Sequence, residues 1–184
     1  MTNIVTVDLQ SAARDKIVAE LTAFSEKGLA PLNVMCRLAA RTLGFNSAVI
    51  TLRPQREIRA IGRYGIQLPS FDITQTPDLY EASMHGKEVI ESLDFQKEFP
   101  TAAGLSPVLG KMNYWYSVPI FIEDMLVARL NLFDETKRDA PMNPAMRGIT
   151  EDFAKMASLF LNTHRLVRGS LQEALKALDS MSGI

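Results

Sequence analysis

Two strand-like runs, Tyr114–Ile122 and Met125–Phe133, meet at a turn of only two residues, Glu123-Asp124, and no other feature restricts the fold as much. Side chains on a strand alternate between its faces. On the first run Trp115, Ser117, Pro119 and Phe121 share one face, and Tyr114, Tyr116, Val118, Ile120 and Ile122 share the other. On the second, Leu126, Ala128, Leu130 and Leu132 oppose Val127, Arg129, Asn131 and Phe133. A turn this short makes the pair antiparallel. An aliphatic face on such a sheet requires helices to cover it.

The rest of the chain supplies them. Leu9, Ala13, Ile17, Leu21 and Phe24 recur at helical spacing over 8–26, closed by Lys27-Gly28. A second helix is predicted from Ala30-Pro31, burying Leu32, Cys36, Ala39 and Leu43 and stopping at Gly44. Ser47–Arg53 and Glu57–Tyr64 read as a hairpin around Pro54-Gln55-Arg56, the latter alternating Ile58, Ala60 and Gly62 against Arg59, Ile61 and Arg63. Thr76-Pro77-Asp78 opens a short helix with Thr76 as its cap, and Glu88–Leu93 is a further strand. Residues 95–111 carry Pro100, Gly104, Pro107 and Gly110 without a sustained period and read as a long loop, a common site for a lid.

Asn143-Pro144 starts a long helix reaching toward Met181. Its seam is Ile149, Phe153, Met156, Phe160, Thr163 and Val167, and the pattern shifts by one residue beyond Gly169 to Leu171, Leu175 and Leu178. That shift predicts a kink or a change of partner at the glycine. Apolar stripes left over on the 8–26 helix and on the end of the long helix predict a homodimer through the terminal helices.

Composition narrows the function classes. The formal net charge is -1, from 20 basic and 21 acidic side chains, which argues against a nucleic-acid footprint. A single cysteine, Cys36, excludes an internal disulfide framework and a cysteine zinc site, and fits a reducing, cytoplasmic setting. Met1–Arg14 does not read as a signal peptide, and no stretch approaches the roughly 18 apolar residues of a membrane span. His85 and His164 cannot form a metal site by themselves without carboxylates at suitable spacing, and neither a catalytic triad, a phosphate loop nor a zinc-protease motif occurs. The reading is therefore a non-enzyme without a metal, and no cofactor is identified.

The stretches LNVMCRLAARTLGFNSAVITLRP, YSVPIFIEDMLVARLNLFDETKR and ITEDFAKMASLFLN, taken in this order of elements, resemble a GAF domain, a small-molecule-sensing relative of the PAS fold. The resemblance implies an α+β fold: an antiparallel sheet of five to six strands, with N- and C-terminal helices packed on one face and a ligand-pocket cover on the other. It divides the chain into an N-terminal dimerisation helix (1–27), a sensory domain (28–165) and a C-terminal helical extension (166–184). The family often has glycine in the tight turn before the last strand, where this chain has Asp124-Met125. GAF photoreceptors attach a bilin to cysteine, and GAF methionine sulfoxide reductases use several cysteines. Cys36 instead lies on the apolar stripe of a helix, where a thiol behaves as a small hydrophobe, and no second thiol is present to resolve a disulfide.

The mixed faces of the strands are then the pocket side. Candidate ligand contacts are Thr51, Arg53, Trp115, Ser117, Arg129 and Asn131, with Tyr80 and Met84 from the covering helix. A mid-strand arginine under a cover needs a counter-charge. An acidic or carbonyl-bearing ligand supplies one in a sensor, and a carboxylate such as Glu91 supplies one in a structural module. Two functions stay open at this stage. One is a sensor passing its ligand state to an output protein in trans, and the other is a ligand-free dimerisation or interaction module.

Overall fold

In the computed structural model, which describes residues 3–23, 26–52, 57–68, 70–84 and 88–182, the chain opens with helices α1 (Asn3–Thr22) and α2 (Glu26–Leu43). Strands β1 (Ser47–Leu52), β2 (Glu57–Tyr64) and β3 (Phe71–Asp72) follow, then α3 (Pro77–Met84), β4 (Ile90–Ser92), α4 (Phe95–Glu98) and α5 (Pro100–Leu105). The chain closes with β5 (Tyr114–Ile122), β6 (Met125–Asp134) and α6 (Pro144–Ser182). Every strand pairing is antiparallel, in the order β3-β2-β1-β6-β5-β4. This is the α+β arrangement read from the sequence. Among the described residues no helix is long and apolar enough to cross a membrane.

One face of the sheet is covered by long helices. Leu32, Cys36, Ala39 and Leu43 of α2 are all buried there, against Ile50, Tyr116, Leu130 and Leu132. The contact is close enough that a Cβ on Gly62 of β2 would lie 2.7 Å from the Leu32 Cβ. Gly44 ends α2 at φ +69, and the Phe45 N–H returns to the Ala40 carbonyl at 2.8 Å, the hydrogen bond of a Schellman stop. Asn143 caps α6 as expected, accepting from the Met146 N–H at 2.9 Å.

Several expectations are corrected. Helix α2 starts at Glu26 and runs through Gly28, so Pro31 sits inside it rather than at its first turn. Thr76 does not cap α3: its hydroxyl and its N–H both turn back to the Ile73 carbonyl. Residues 95–111 are not a loop but α4, α5 and a 3-10 turn at Leu109–Lys111, helices too short for a period to show. The 54–56 turn, Arg53, His85 and Gly86 lie outside the described residues.

Two bulges break the strand alternation. Ala60 pairs with Thr51 and Gly62 with Ile50, so Ile61 is the extra residue of β2 and turns to the helix side. In β6, Ala128 pairs with Ile120 and Leu126 with Phe121, which leaves Val127 unpaired. Val127 therefore packs under the helices, and Leu126 points to the opposite face, the reverse of simple alternation.

The predicted α6 seam is also corrected. The face buried on the sheet is Thr150, Ala154, Ala157 and Leu161, mostly small residues that let the helix approach closely, while Phe153 and Phe160 of the predicted seam are partly buried and pack against the same core. Ile149, Met156 and Val167 face outward, with Leu159, Leu166, Leu171, Leu175 and Leu178. The helix α6 runs through Gly169 without a break. Residues 149, 160 and 171, and residues 156, 167 and 178, recur at the eleven-residue spacing that keeps a stripe nearly straight along one helix. That accounts for the apparent shift of one residue. At the other end, Ile17, Val18 and Leu21 of α1 are spent inside the domain's own core. That part of the N-terminal helix is not an open apolar face.

Candidate functional site

The other face of the sheet carries a second, separate core. Phe95 and Phe99 sit one helical turn apart and close on Trp115 of β5 and Phe133 of β6. Trp115 and Phe133 stack with centroids 6.2 Å apart, while Phe99 and Phe95 meet the indole edge-on at 5.0 and 5.7 Å. Asp78 anchors this cover by accepting from the Thr101 N–H at 2.8 Å, which joins α3 to α5.

A cavity of about 50 Å³ remains between cover and sheet. Val49, Thr51, Ile58, Leu126 and Phe133 form its floor, and Leu68, Phe71, Leu79, Ser83, Phe95 and Leu109 close it from above. Trp115, Arg129 and Asn131 reach its polar side.

The polar side is a network the chain completes for itself. Asn131 Oδ1 accepts from Trp115 Nε1 at 3.1 Å and from the Ser117 hydroxyl at 2.8 Å. Asn131 Nδ2 donates to the Val49 carbonyl, Thr51 Oγ1 and the Arg129 carbonyl at 3.3, 3.0 and 3.2 Å. Arg129 is 6% exposed. Its Nε donates to Ser117 Oγ at 2.8 Å, and its Nη2 donates to the carbonyls of Glu88 and Ser117 at 2.7 and 3.2 Å. Hydrogen bonds from a charged donor are the strong class that makes such burial tolerable.

The sequence brings four of its candidates together on the cavity: Thr51, Trp115, Arg129 and Asn131. Ser117 stands behind them, holding Arg129 and Asn131 in place. Tyr80 and Met84 belong to α3, and Arg53 lies outside the described residues. Glu91 is not the partner of Arg129 that the structural alternative called for. Its carboxylate takes the Arg147 guanidinium at 2.8 Å and the Tyr114 hydroxyl at 2.6 Å, pinning β4 to the start of α6. Burial, and then that carboxylate, push the Tyr114 hydroxyl above its usual range. The apolar lining was missed, although the four-residue spacing of Phe95 and Phe99 was a signal for it.

Cys36 lies on the far side of the sheet from this cavity, fully buried, and burial pushes its thiol up to about 12. It stays protonated and unreactive at neutral pH. A wide groove of about 690 Å³ opens on the outside, between Val118, Pro119 and Phe121 of β5 and Glu151, Lys155, Ser158 and Leu159 of α6, with Glu88 and Val89 at its rim.

No protein-family model matches the chain, and no curated protein does. Solved structures do. The GAF domain of an Acinetobacter phosphoenolpyruvate-protein phosphotransferase superposes with a TM-score of 0.60 at 14% identity, covering 92% of this chain and 99% of that one. The chain has a GAF fold. Residues 122 to 287 of a methyl-accepting chemotaxis protein give 0.62 at 12% identity, covering 82% and 98%. A type II free methionine-R-sulfoxide reductase from Thermoplasma acidophilum gives 0.58 at 8% identity, covering 76% and 95%. At these identities the GAF likeness is one of architecture.

Proposed function

We propose that this GAF module is a non-enzymatic sensor that works as a homodimer, the state of its cavity setting the arrangement of α6 and so reaching a separate output protein. One observation carries the reading: β5 and β6 line the cavity on one face, through Trp115, Leu126, Arg129 and Asn131, and on the other face α6 packs on β5 and α1 on β6. Arg165 of α6 binds Glu20 of α1 at 3.1 Å and also Glu123 in the β5–β6 turn, tying both terminal helices to the strands. Glu88 bridges inside and outside, since its carbonyl holds Arg129 while the residue itself borders the outer groove. That similar domains occur in a chemotaxis protein and a phosphotransferase supports a signalling role. The single inert thiol speaks against the chemistry of the reductase.

A second reading is favoured by the small size of the cavity. With four aromatic rings packed beside it, the module serves dimerisation or protein interaction with no ligand at all.

Both readings use the outward stripe of α6, and its occupant is a second copy of the same stripe. A stripe that runs straight for the length of a helix suits a two-fold pairing, which sets each patch against itself. Light scattering on the full chain is expected to give a dimer, and Leu171→Glu with Leu175→Glu a folded monomer. A full-length chain that is monomeric at high micromolar concentration removes the homodimer from both readings.

A further inference from the structure

We infer that the cavity takes a small neutral, mostly apolar molecule with at most one polar atom, held by the Thr51 hydroxyl, and not an anion. The inference deepens the sensory reading and rests on it. It follows from a count of hydrogen-bonding capacity. An amide oxygen has two lone pairs and an amide nitrogen two protons. Asn131 has two donors on its oxygen and three acceptors around its nitrogen, so it is saturated. The Trp115 N–H is spent on Asn131, the Nε and both Nη2 protons of Arg129 are spent on Ser117 and Glu88, and the guanidinium has a further partner besides these. A ligand drawing on these groups must first break bonds that the fold already makes. Removing a partner from a buried polar group is costly, so the network resists being recruited.

Two polar groups on the lining are differently placed. Ser83 gives its proton to the Leu79 carbonyl at 2.7 Å. Thr51 Oγ1 accepts from Asn131, and its own proton has no acceptor among the described residues. Thr51 is thus the donor the cavity offers, and the walls around it are Val49, Ile58, Leu79 and Leu126. A space of about 50 Å³, at roughly 10–15 Å³ per water-sized group, holds about three to five heavy atoms. A C3 ketone, or a C2–C3 aldehyde or alcohol, has that size and that single acceptor.

The test is methyl NMR on the full chain with three probes: xenon under pressure, acetone and acetate. The inference expects xenon and acetone to shift the methyls of Val49, Ile58, Leu79 and Leu126, with those of Ile50, Leu130 and Leu132 across the sheet unmoved and acetate without effect. Thr51→Val is expected to weaken acetone about five-fold, the factor for one ordinary hydrogen bond, while xenon binds as before. Equal acetone affinity in that variant overturns the role of Thr51. Saturable acetate binding at these methyls, with neither neutral probe entering, overturns the neutral ligand but leaves the sensory cavity standing. If none of the three probes enters, the sensory reading falls as well and the filled module remains.

Discussion

The two faces of this sheet are built from the same strands, yet they are held by different means. Under α1, α2 and α6 the strands present Ile50, Val118, Ile120, Leu130 and Leu132, and long helices cover them with Leu32, Ala39, Ala157 and Leu161. Across the sheet the same strands present Trp115, Phe133, Arg129 and Asn131, roofed by helices of a few residues each. The first face gains from buried aliphatic area, which needs no particular geometry. The second depends on an aromatic cluster and a closed set of hydrogen bonds, where each partner has one correct place. The difference assigns them separate tasks: one face makes the domain stable, and the other holds the cavity and its roof.

The largest expected effect contrasts two leucines on one strand. Leu130 is 1% exposed under the helices, whereas Leu126 is half-buried beside an existing cavity. Leu130→Ala should cost about 3–4 kcal/mol, within the range for leucine truncations that leave a new void. Leu126→Ala should cost less than half of that, because it enlarges a space already open. Chemical denaturation of both variants measures the gap, and equal losses would show that the two faces contribute alike.

The helix face was legible in the sequence almost residue by residue, because α2 and β5 keep their periods without interruption. Leu32, Cys36, Ala39 and Leu43 are buried as the spacing required, and so are Tyr114, Tyr116, Val118, Ile120 and Ile122. Legibility stopped where one residue was inserted. The bulges at Ile61 and Val127 each invert the alternation beyond them, and a bulge is set by cross-strand pairing that no single strand displays. The roof was unreadable because α4 and α5 are shorter than the windows in which a period can be seen. The α6 seam failed for a different reason. Pattern reading ranks large apolar residues as the inward face, while this helix turns Ala154 and Ala157 inward beside Leu161 and leaves its other leucines outside. In the site, Arg129 and Asn131 stood out as polar residues on a strong strand. Their partners Ser117, Thr51 and the Glu88 carbonyl come from three other segments, so the network is visible only after folding.

A middle-sized effect tests whether that network is structural. Arg129→Ala takes the donor away from the Glu88 and Ser117 carbonyls and from the buried Ser117 hydroxyl, and should destabilise the domain by about 1–3 kcal/mol. A thermal melt then shows a lower midpoint. An unchanged or higher midpoint would mean that burying the guanidinium costs more than its bonds return. That result would make Arg129 a group kept for an anionic ligand, and it would also count against the neutral ligand argued above.

The smallest effect lies at the Glu123-Asp124 turn, where the two faces of the β5–β6 pair come together. Both residues have positive φ, 51° and 61°. Positive φ at both central positions is the type I′ geometry that suits the twist of a two-residue hairpin. Non-glycine residues reach it at a cost of about 1–2 kcal/mol, with aspartate among the better tolerated. Asp124→Gly removes that strain but adds about 0.4–1 kcal/mol of freedom to the unfolded chain. The net gain should therefore be about 0.5 kcal/mol, a rise in melting temperature of a few degrees at most. Glu123→Gly relieves the same kind of strain but also deletes the carboxylate that Arg165 holds against α6. It should gain nothing or lose slightly. If the two glycine variants stabilise equally, the Arg165 contact carries no energy, and the tie between the strand pair and α6 rests on packing alone.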